Sequence, residues 1–229
     1  VQAMEVDPDN DIGLYRLATA YDDLGRLDEA LPYYEAATKA APLHNPTLYR
    51  LAAVYRRLGR TSDARAAYEK QLANNPYDVS AVLALVELDI ELDTRDAYLA
   101  AELRLLNLLG DLPNDPSLRI NLGVVRYHLG RIDQAIDAYT QVLRRDPNNV
   151  TAVLNLAQLG LSGDIDRALS VAAALSGAAA VPMANAALAY AALCEGRYDA
   201  AISRVAALCR SGDAGADARR LFLTALERF

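Results

Sequence analysis

Two histidines, two cysteines and 30 acidic residues are the groups in this 229-residue chain with the chemistry to bind a metal or move a proton. Neither His44 nor His128 has cysteine, histidine or carboxylate companions at metal-ligand spacing. The stretch Asp7 to Gly13, DPDNDIG, has the acidic spacing of a calcium loop, but that loop needs Gly at its sixth place and Glu at its twelfth. Ile12 and Ala18 stand there instead. The stretch therefore reads as a turn followed by a helix N-cap. Gly160-Leu161-Ser162-Gly163 is one residue short of a nucleophile elbow and lacks the strand that would precede it. No phosphate-cradling glycine loop occurs, so no cofactor is implied. Asp22 with Asp23, and Glu87 with Glu91, read as solvated helix faces. No catalytic constellation emerges, and a non-enzyme is expected.

Composition narrows the partners. The net charge is −7 and the pI about 4.9. Binding a nucleic-acid backbone needs a surplus of Lys and Arg, so nucleic acid is not expected as a partner. Residues Ala168 to Cys194 carry no charge. They are mostly Ala, however, and are interrupted by Gly177, Pro182 and Asn185, which fits a tightly packed helix pair better than a membrane span. The compartment is left open, with the cytoplasm favoured over the periplasm.

The elements that would position any site follow from two repeating markers. Gly, four residues, then Ala appears as Gly25 to Ala30, Gly59 to Ala64, Gly130 to Ala135, Gly163 to Ala168 and Gly196 to Ala201. Loop prolines stand at Pro8, Pro42, Pro76, Pro113 and Pro147, with gaps of 34, 34, 37 and 34 residues. Between them the pattern predicts helices over 12–24 with 28–40, 46–58 with 62–74, 80–92 with 96–110, 117–129 with 133–145, 150–161 with 164–176, and 183–195 with 199–210. A last helix is expected over about 215–228, with Ala218, Leu221, Phe222, Ala225, Leu226 and Phe229 forming one stripe. Asp28, Ser62, Asp133, Asp166 and Asp199 each follow the turn Gly by three residues and read as N-caps of the second helices.

These residues resemble the tetratricopeptide repeat family. Its unit is 34 residues long, with large residues at positions 4, 7, 11 and 24 and small ones at 8, 20 and 27. Gly stands at position 15 and Pro at 32. The unit from Asp11 presents Leu14, Leu17, Ala18, Tyr21, Gly25, Ala30, Tyr34, Ala37 and Pro42. The unit from Asn45 repeats the pattern with Gln71 in place of the second Ala. The unit from Pro116 keeps Leu122, Gly123, Gly130, Ala135, Tyr139 and Pro147. The unit from Val79 lacks the turn Gly and runs three residues long, with the extra length expected near Asp93 to Asp96. The unit from Val150 is one residue short before Gly163. The unit from Pro182 loses the aromatic and the closing Pro.

The resemblance implies an all-α fold, a right-handed α-solenoid of antiparallel hairpins over 11–44, 45–78, 79–115, 116–149, 150–181 and 182–213. Residues 214–229 would be a capping helix or half repeat. Residues 1–10 would be the remnant of a preceding repeat's second helix, because Ala3 and Pro8 fall at positions 27 and 32. A piece of a longer protein, with possible homo-oligomers through open solenoid ends, is the corresponding expectation. In such hairpins Cys194 and Cys209 lie about 12 Å apart along the axis, from a rise of about 1.5 Å per residue. A disulfide needs Cα atoms within about 7 Å, so free buried thiols are expected.

By the same resemblance the first helices line a concave groove, at positions 2, 5, 6, 9, 12 and 13. The groove residues carried over are Tyr15, Arg16, Thr19, Tyr49, Arg50, Arg57, Glu87, Asn121, Tyr127, His128, Asn155 and Gln158. Asp22, Arg56, Glu91, Ile120 and Val124 fall on the same face. The family's chaperone-tail clamp finds no match, since its places hold Tyr15, Thr19, Arg50, Ser80 and Ala84. An asparagine ladder at position 6 is represented by Asn121 and Asn155 alone. The function implied is a non-catalytic scaffold holding a protein or peptide segment. Alternatives are a substrate-presenting arm of a larger enzyme, such as a glycosyl- or sulfotransferase, and a self-assembling module.

Overall fold

The computed structural model describes residues 10–146, 149, 151–152, 155–156, 159, 185, 189 and 198–210. Among them are nine helices: α1 Asp11–Asp23, α2 Leu27–Ala40, α3 Asn45–Arg57, α4 Thr61–Asn74, α5 Val79–Glu91, α6 Arg95–Asp111, α7 Pro116–His128, α8 Ile132–Leu143 and α9 Tyr198–Arg210. No strand occurs among the described residues. The fold class is an all-α helical repeat solenoid. The chain divides into two compact units, Val1–Arg104 and Leu105–Phe229, the division falling within α6. The expected first stub, the unit over 150–181, the helix over 215–228, the uncharged stretch and Cys194 lie outside the described residues, wholly or in large part.

Every described helix starts one residue earlier than the sequence pattern predicts, and the reason lies in the turns. Gly25, Gly59 and Gly130 take the left-handed conformation, with φ of 73°, 73° and 74°. A Cβ there would carry a strain that Gly avoids. The amide of the residue after each Gly reaches back to a carbonyl five residues earlier: Arg26 to Tyr21 at 2.9 Å, Arg60 to Tyr55 at 2.8 Å, Arg131 to Arg126 at 2.8 Å. One residue after Gly is therefore enough to turn the chain, and that residue is the N-cap. Asp28, Ser62 and Asp133 are consequently not the caps. The caps are Arg26, Arg60 and Arg131, which make no side-chain cap bond. The three expected caps, and Asp199 with them, sit inside the first turn, where free N–H groups and the helix dipole favour a carboxylate or hydroxyl. Ahead of the first helices of the hairpins, α1, α5 and α7 do have side-chain caps, whereas His44 makes none at α3. Asn10 accepts from the Gly13 amide at 2.9 Å, Asp78 from Ala81 at 3.1 Å, and Asp115 from Leu118 at 2.9 Å.

The long third unit corrects a second expectation. The turn between α5 and α6, Leu92 to Thr94, has the same length as the glycine turns. Asp93 stands at the glycine place with φ of 50°, a conformation Asp tolerates better than most residues. Its carboxylate accepts a hydrogen bond from the Tyr98 hydroxyl at 2.5 Å. Thr94 Oγ1 accepts from the Ala97 amide at 3.3 Å and starts α6. The three additional residues lie in the helix instead: α6 has 17 residues, whereas α2 and α4 have 14 each.

Packing follows the large-and-small alternation. Within the first unit, Ala18, Ala30 and Tyr34 cluster with Leu51 and Val54 of the next hairpin. Ala52, Ala64, Ala67 and Tyr68 then cluster with Ala81, Ala84, Leu85 and Leu88. Within the second unit, Ala135, Tyr139, Val142 and Leu143 cluster with Ala152, Leu156 and Leu159. Each core is thus closed by the following repeat, as stacked repeats require. Tyr34, Tyr68 and Tyr139 are each at most 2% exposed. Burying a ring of this kind removes about 150–250 Å² from water.

Two predictions follow from these cores. The ring of Tyr139 lies so close to Gly123 that a Cβ built there would stand 2.4 Å from a ring carbon. Ala would recover about 1 kcal/mol of helix propensity, but overpacking a rigid site costs about 1–3 kcal/mol. Gly123→Ala should therefore lower stability by about 1 kcal/mol in a urea melt, and an unchanged or raised midpoint would refute the clash. The second concerns alkaline pH. Burial pushes the phenol of Tyr68 up to about 12, and burial with the Glu35 hydrogen bond does the same to Tyr55. A folded value above the unfolded one, about 10, favours the neutral phenol in the fold. That stability is complete below about pH 10 and is lost as pH rises through about 12. Tyrosinate absorbance and loss of helical circular dichroism should therefore rise together above pH 10; full tyrosine ionisation with intact helicity would contradict this.

Candidate functional site

In the first unit, much of the expected groove turns out to be engaged in holding helices together. Asp22 is a correction: it is 6% exposed rather than solvated. Arg57 pairs with its Oδ1, Arg50 Nη1 lies 3.6 Å from Oδ2, and the Tyr34 hydroxyl donates to Oδ2 at 3.4 Å. The same hydroxyl reaches Thr19 Oγ1 at 3.2 Å, and Thr19 donates to the Tyr15 carbonyl at 2.9 Å. Arg50 and Arg57 of α3 thus neutralise a buried carboxylate of α1. Removing one member of such a group leaves an uncompensated charge, which is costly. Tyr15 packs edge-on against Tyr34 and His44, at 6.1 and 5.4 Å between ring centres. Tyr49 packs edge-on against Tyr68 at 5.7 Å. Arg16 is exposed.

The acidic middle of that face is likewise partnered. Arg56 reaches both Glu87 and Glu91 from the neighbouring hairpin. The guanidinium is held between two carboxylates, and the Glu87 hydrogen bond raises its pKa first. Glu87 and Glu91 are half exposed, so these pairs add little stability.

One charged residue in this unit escaped sequence reasoning. Asp89 occupies position 11, where the first two units have Tyr21 and Tyr55. It is 2% exposed and paired with Arg65 at 2.7 Å and Arg104 at 3.0 Å. Arg104 also lies 3.6 Å from Glu69. The signal available was an acid at an aromatic position, with arginines at the facing positions of the helices on either side.

The second unit differs. Val124, Tyr127 and His128 of α7, Tyr139 of α8, and Asn155 and Leu159 beyond them line one pocket of about 200 Å³. Three of the expected groove residues, Tyr127, His128 and Asn155, come together there. Tyr139 is almost fully buried, and burial raises its phenol well above the usual range. Asn121 is not among the lining residues; its amide donates to the Ser117 carbonyl at 3.0 Å on its own helix. Ile120, expected on the groove, is 9% exposed and belongs to the core. Gln158 lies outside the described residues. The pocket combines apolar side chains with an imidazole and a carboxamide. That arrangement suits an apolar side chain whose backbone needs hydrogen-bonding partners. Among the described residues no group of three or more His, Cys, Asp or Glu is placed to hold a metal.

Comparison with known proteins bears on this geometry. A tetratricopeptide repeat model matches residues 15–79, and a second tetratricopeptide repeat model matches residues 116–149. No curated protein matches the chain in sequence. Among solved structures it is similar to a tetratricopeptide repeat protein from Parabacteroides merdae, with 20% identity over 99% of this chain and 88% of that one and a TM-score of 0.66. It is similar also to a thermophilic protein of Thermus thermophilus with the same repeats, at 24% identity, 94% and 98% coverage and a TM-score of 0.56. YrrB, described as having an unusual peptide-binding site, shares 19% identity over 76% of this chain and 90% of its own, with a TM-score of 0.58. The left-handed glycine turns, the Ala/Tyr packing and the matched segments agree: this chain carries tetratricopeptide repeats over residues 15–79 and 116–149.

Proposed function

We propose that this protein is a non-catalytic scaffold that holds an extended segment of a partner protein on the face formed by its first helices, with an apolar residue of that segment in the Tyr127 pocket. Tetratricopeptide repeat proteins are in general scaffolds rather than enzymes. The observation that carries the proposal is the convergence of Tyr127, His128 and Asn155 on one pocket of about 200 Å³. In the first unit, by contrast, Arg50, Arg56 and Arg57 are turned toward Asp22, Glu87 and Glu91. Recognition therefore rests on ring faces and a carboxamide rather than on salt bridges. The peptide-binding site of YrrB supports the reading by analogy of fold. Among the described residues no helix is long and apolar enough to cross a membrane.

The test uses a peptide recovered by the full chain from a displayed random library. Fluorescence anisotropy should show His128→Ala and Asn155→Ala each weakening the peptide about tenfold, as anchors of an interface do. Lys39→Ala, an exposed change on α2, should leave affinity and helicity as they are. A peptide that binds the His128→Ala, Asn155→Ala double variant as tightly as the parent would remove the pocket from the function.

A further inference from the structure

The second unit holds another concavity, of about 230 Å³, lined by Arg119 of α7, Gln141 of α8, and Arg144 and Arg145 just beyond α8. Three guanidinium groups share one cavity in a chain of net charge −7, and no carboxylate lines it. Arg144 and Arg145 are exposed and form no ion pair among the described residues. Their position at the end of α8 has an ordinary cause, because cations complement the negative end of a helix. Arg119 has no such cause. It is the fourth residue of α7, close to the positive end, where a cation is disfavoured. It also occupies position 4 of its repeat, where the other described units bury Leu14, Leu48 and Val82.

Arg119 is held rather than free. One of its terminal nitrogens donates to Gln141 Oε1 and the other to the Pro113 carbonyl. Gln141 in turn donates to Asp137 Oδ2 at 2.7 Å, which fixes the orientation of its amide. Asp137 thus acts on Arg119 at one remove, through Gln141. A guanidinium has five N–H donors, so two engaged donors leave three on Arg119, and Arg144 and Arg145 add their own. That supply exceeds what the two oxygens of a carboxylate can accept. It matches a phosphate monoester, with three acceptor oxygens and a charge between about −1.5 and −2 at neutral pH.

We propose that Arg119, Arg144 and Arg145 form a binding site for a phosphate monoester carried on a partner polypeptide. The site is separate from the Tyr127 pocket. Arg119 and Tyr127 lie eight residues apart on α7, about 12 Å along its axis. It therefore does not depend on the groove reading, although one partner segment is long enough to engage both.

The experiment titrates the full chain, first with inorganic phosphate and then with a short serine peptide in phosphorylated, unphosphorylated and aspartate-substituted forms. Binding is followed by amide chemical shifts and by calorimetry. Phosphate should give saturable shifts centred on the Gln141 side-chain amide and the Arg145 backbone. The phosphopeptide should bind about tenfold more tightly than the aspartate form, with the unmodified form weaker still. Arg144→Ala with Arg145→Ala, two exposed changes, should weaken the phosphopeptide about a hundredfold with helicity unchanged. Asn155→Ala, which alters the other pocket, should have no effect here. Shifts that do not saturate, shifts that persist in the double variant, or an aspartate peptide that binds as tightly as the phosphopeptide would each overturn the assignment.

Discussion

Everything in this fold depends on how closely two antiparallel helices approach where a tyrosine ring lies against a small residue. Ala18 with Tyr34 and Ala52 with Tyr68 share cores, and Gly123 touches Tyr139 directly. The small residue lets the backbones come near; the ring fills the remaining gap and is buried almost completely. Each hairpin then presents a flat apolar edge that the next hairpin must cover, and this is why residues of the following helix enter every cluster. The turn geometry serves the same end. A left-handed residue and one further residue are enough to reverse the chain, keeping paired helices in register.

Tight packing leaves little freedom for charge, so the charges that do enter are tied to particular neighbours. Asp22 and Asp89 are both nearly fully buried, and both draw guanidinium groups from adjacent helices. Such groups stabilise weakly in net terms, because desolvation offsets most of the attraction. What they do impose is a choice of neighbour, since a misplaced hairpin would leave the carboxylate alone. In the third unit this electrostatic lock replaces an aromatic contact, with Asp89 where the first two units have tyrosine.

Much of this was legible in the sequence because the repeat is periodic and its residues are constrained by shape. The spans of the described helices came out within two residues, and the turns at Gly25, Gly59 and Gly130 came out by position. The errors have physical sources. Cap residues were placed two residues late because a Schellman-type turn needs only one residue after the Gly. The length of the third unit was put in its turn because the Gly was missing; Asp93 adopts the same conformation, and the surplus lengthens α6. At the site, position alone assigned residues to the groove face. It could not tell that Arg50 and Arg57 spend their charge on Asp22, because that depends on distances across two hairpins.

Departures from the repeat therefore carry more information than agreement with it. A Leu at position 4 or a Tyr at position 24 is accounted for by packing and says nothing about partners. Arg119 at a leucine position and Asp89 at a tyrosine position are not accounted for that way, and they resolve differently. Asp89 finds its counter-charges inside the fold, on Arg65 and Arg104, and so its departure is structural. Arg119 is held by a carboxamide and a carbonyl, both neutral, beside two further guanidinium groups. It forms no ion pair among the described residues. Neutral acceptors orient a guanidinium without discharging it, and an oriented, undischarged cation in a concavity is the condition for binding an anion from outside.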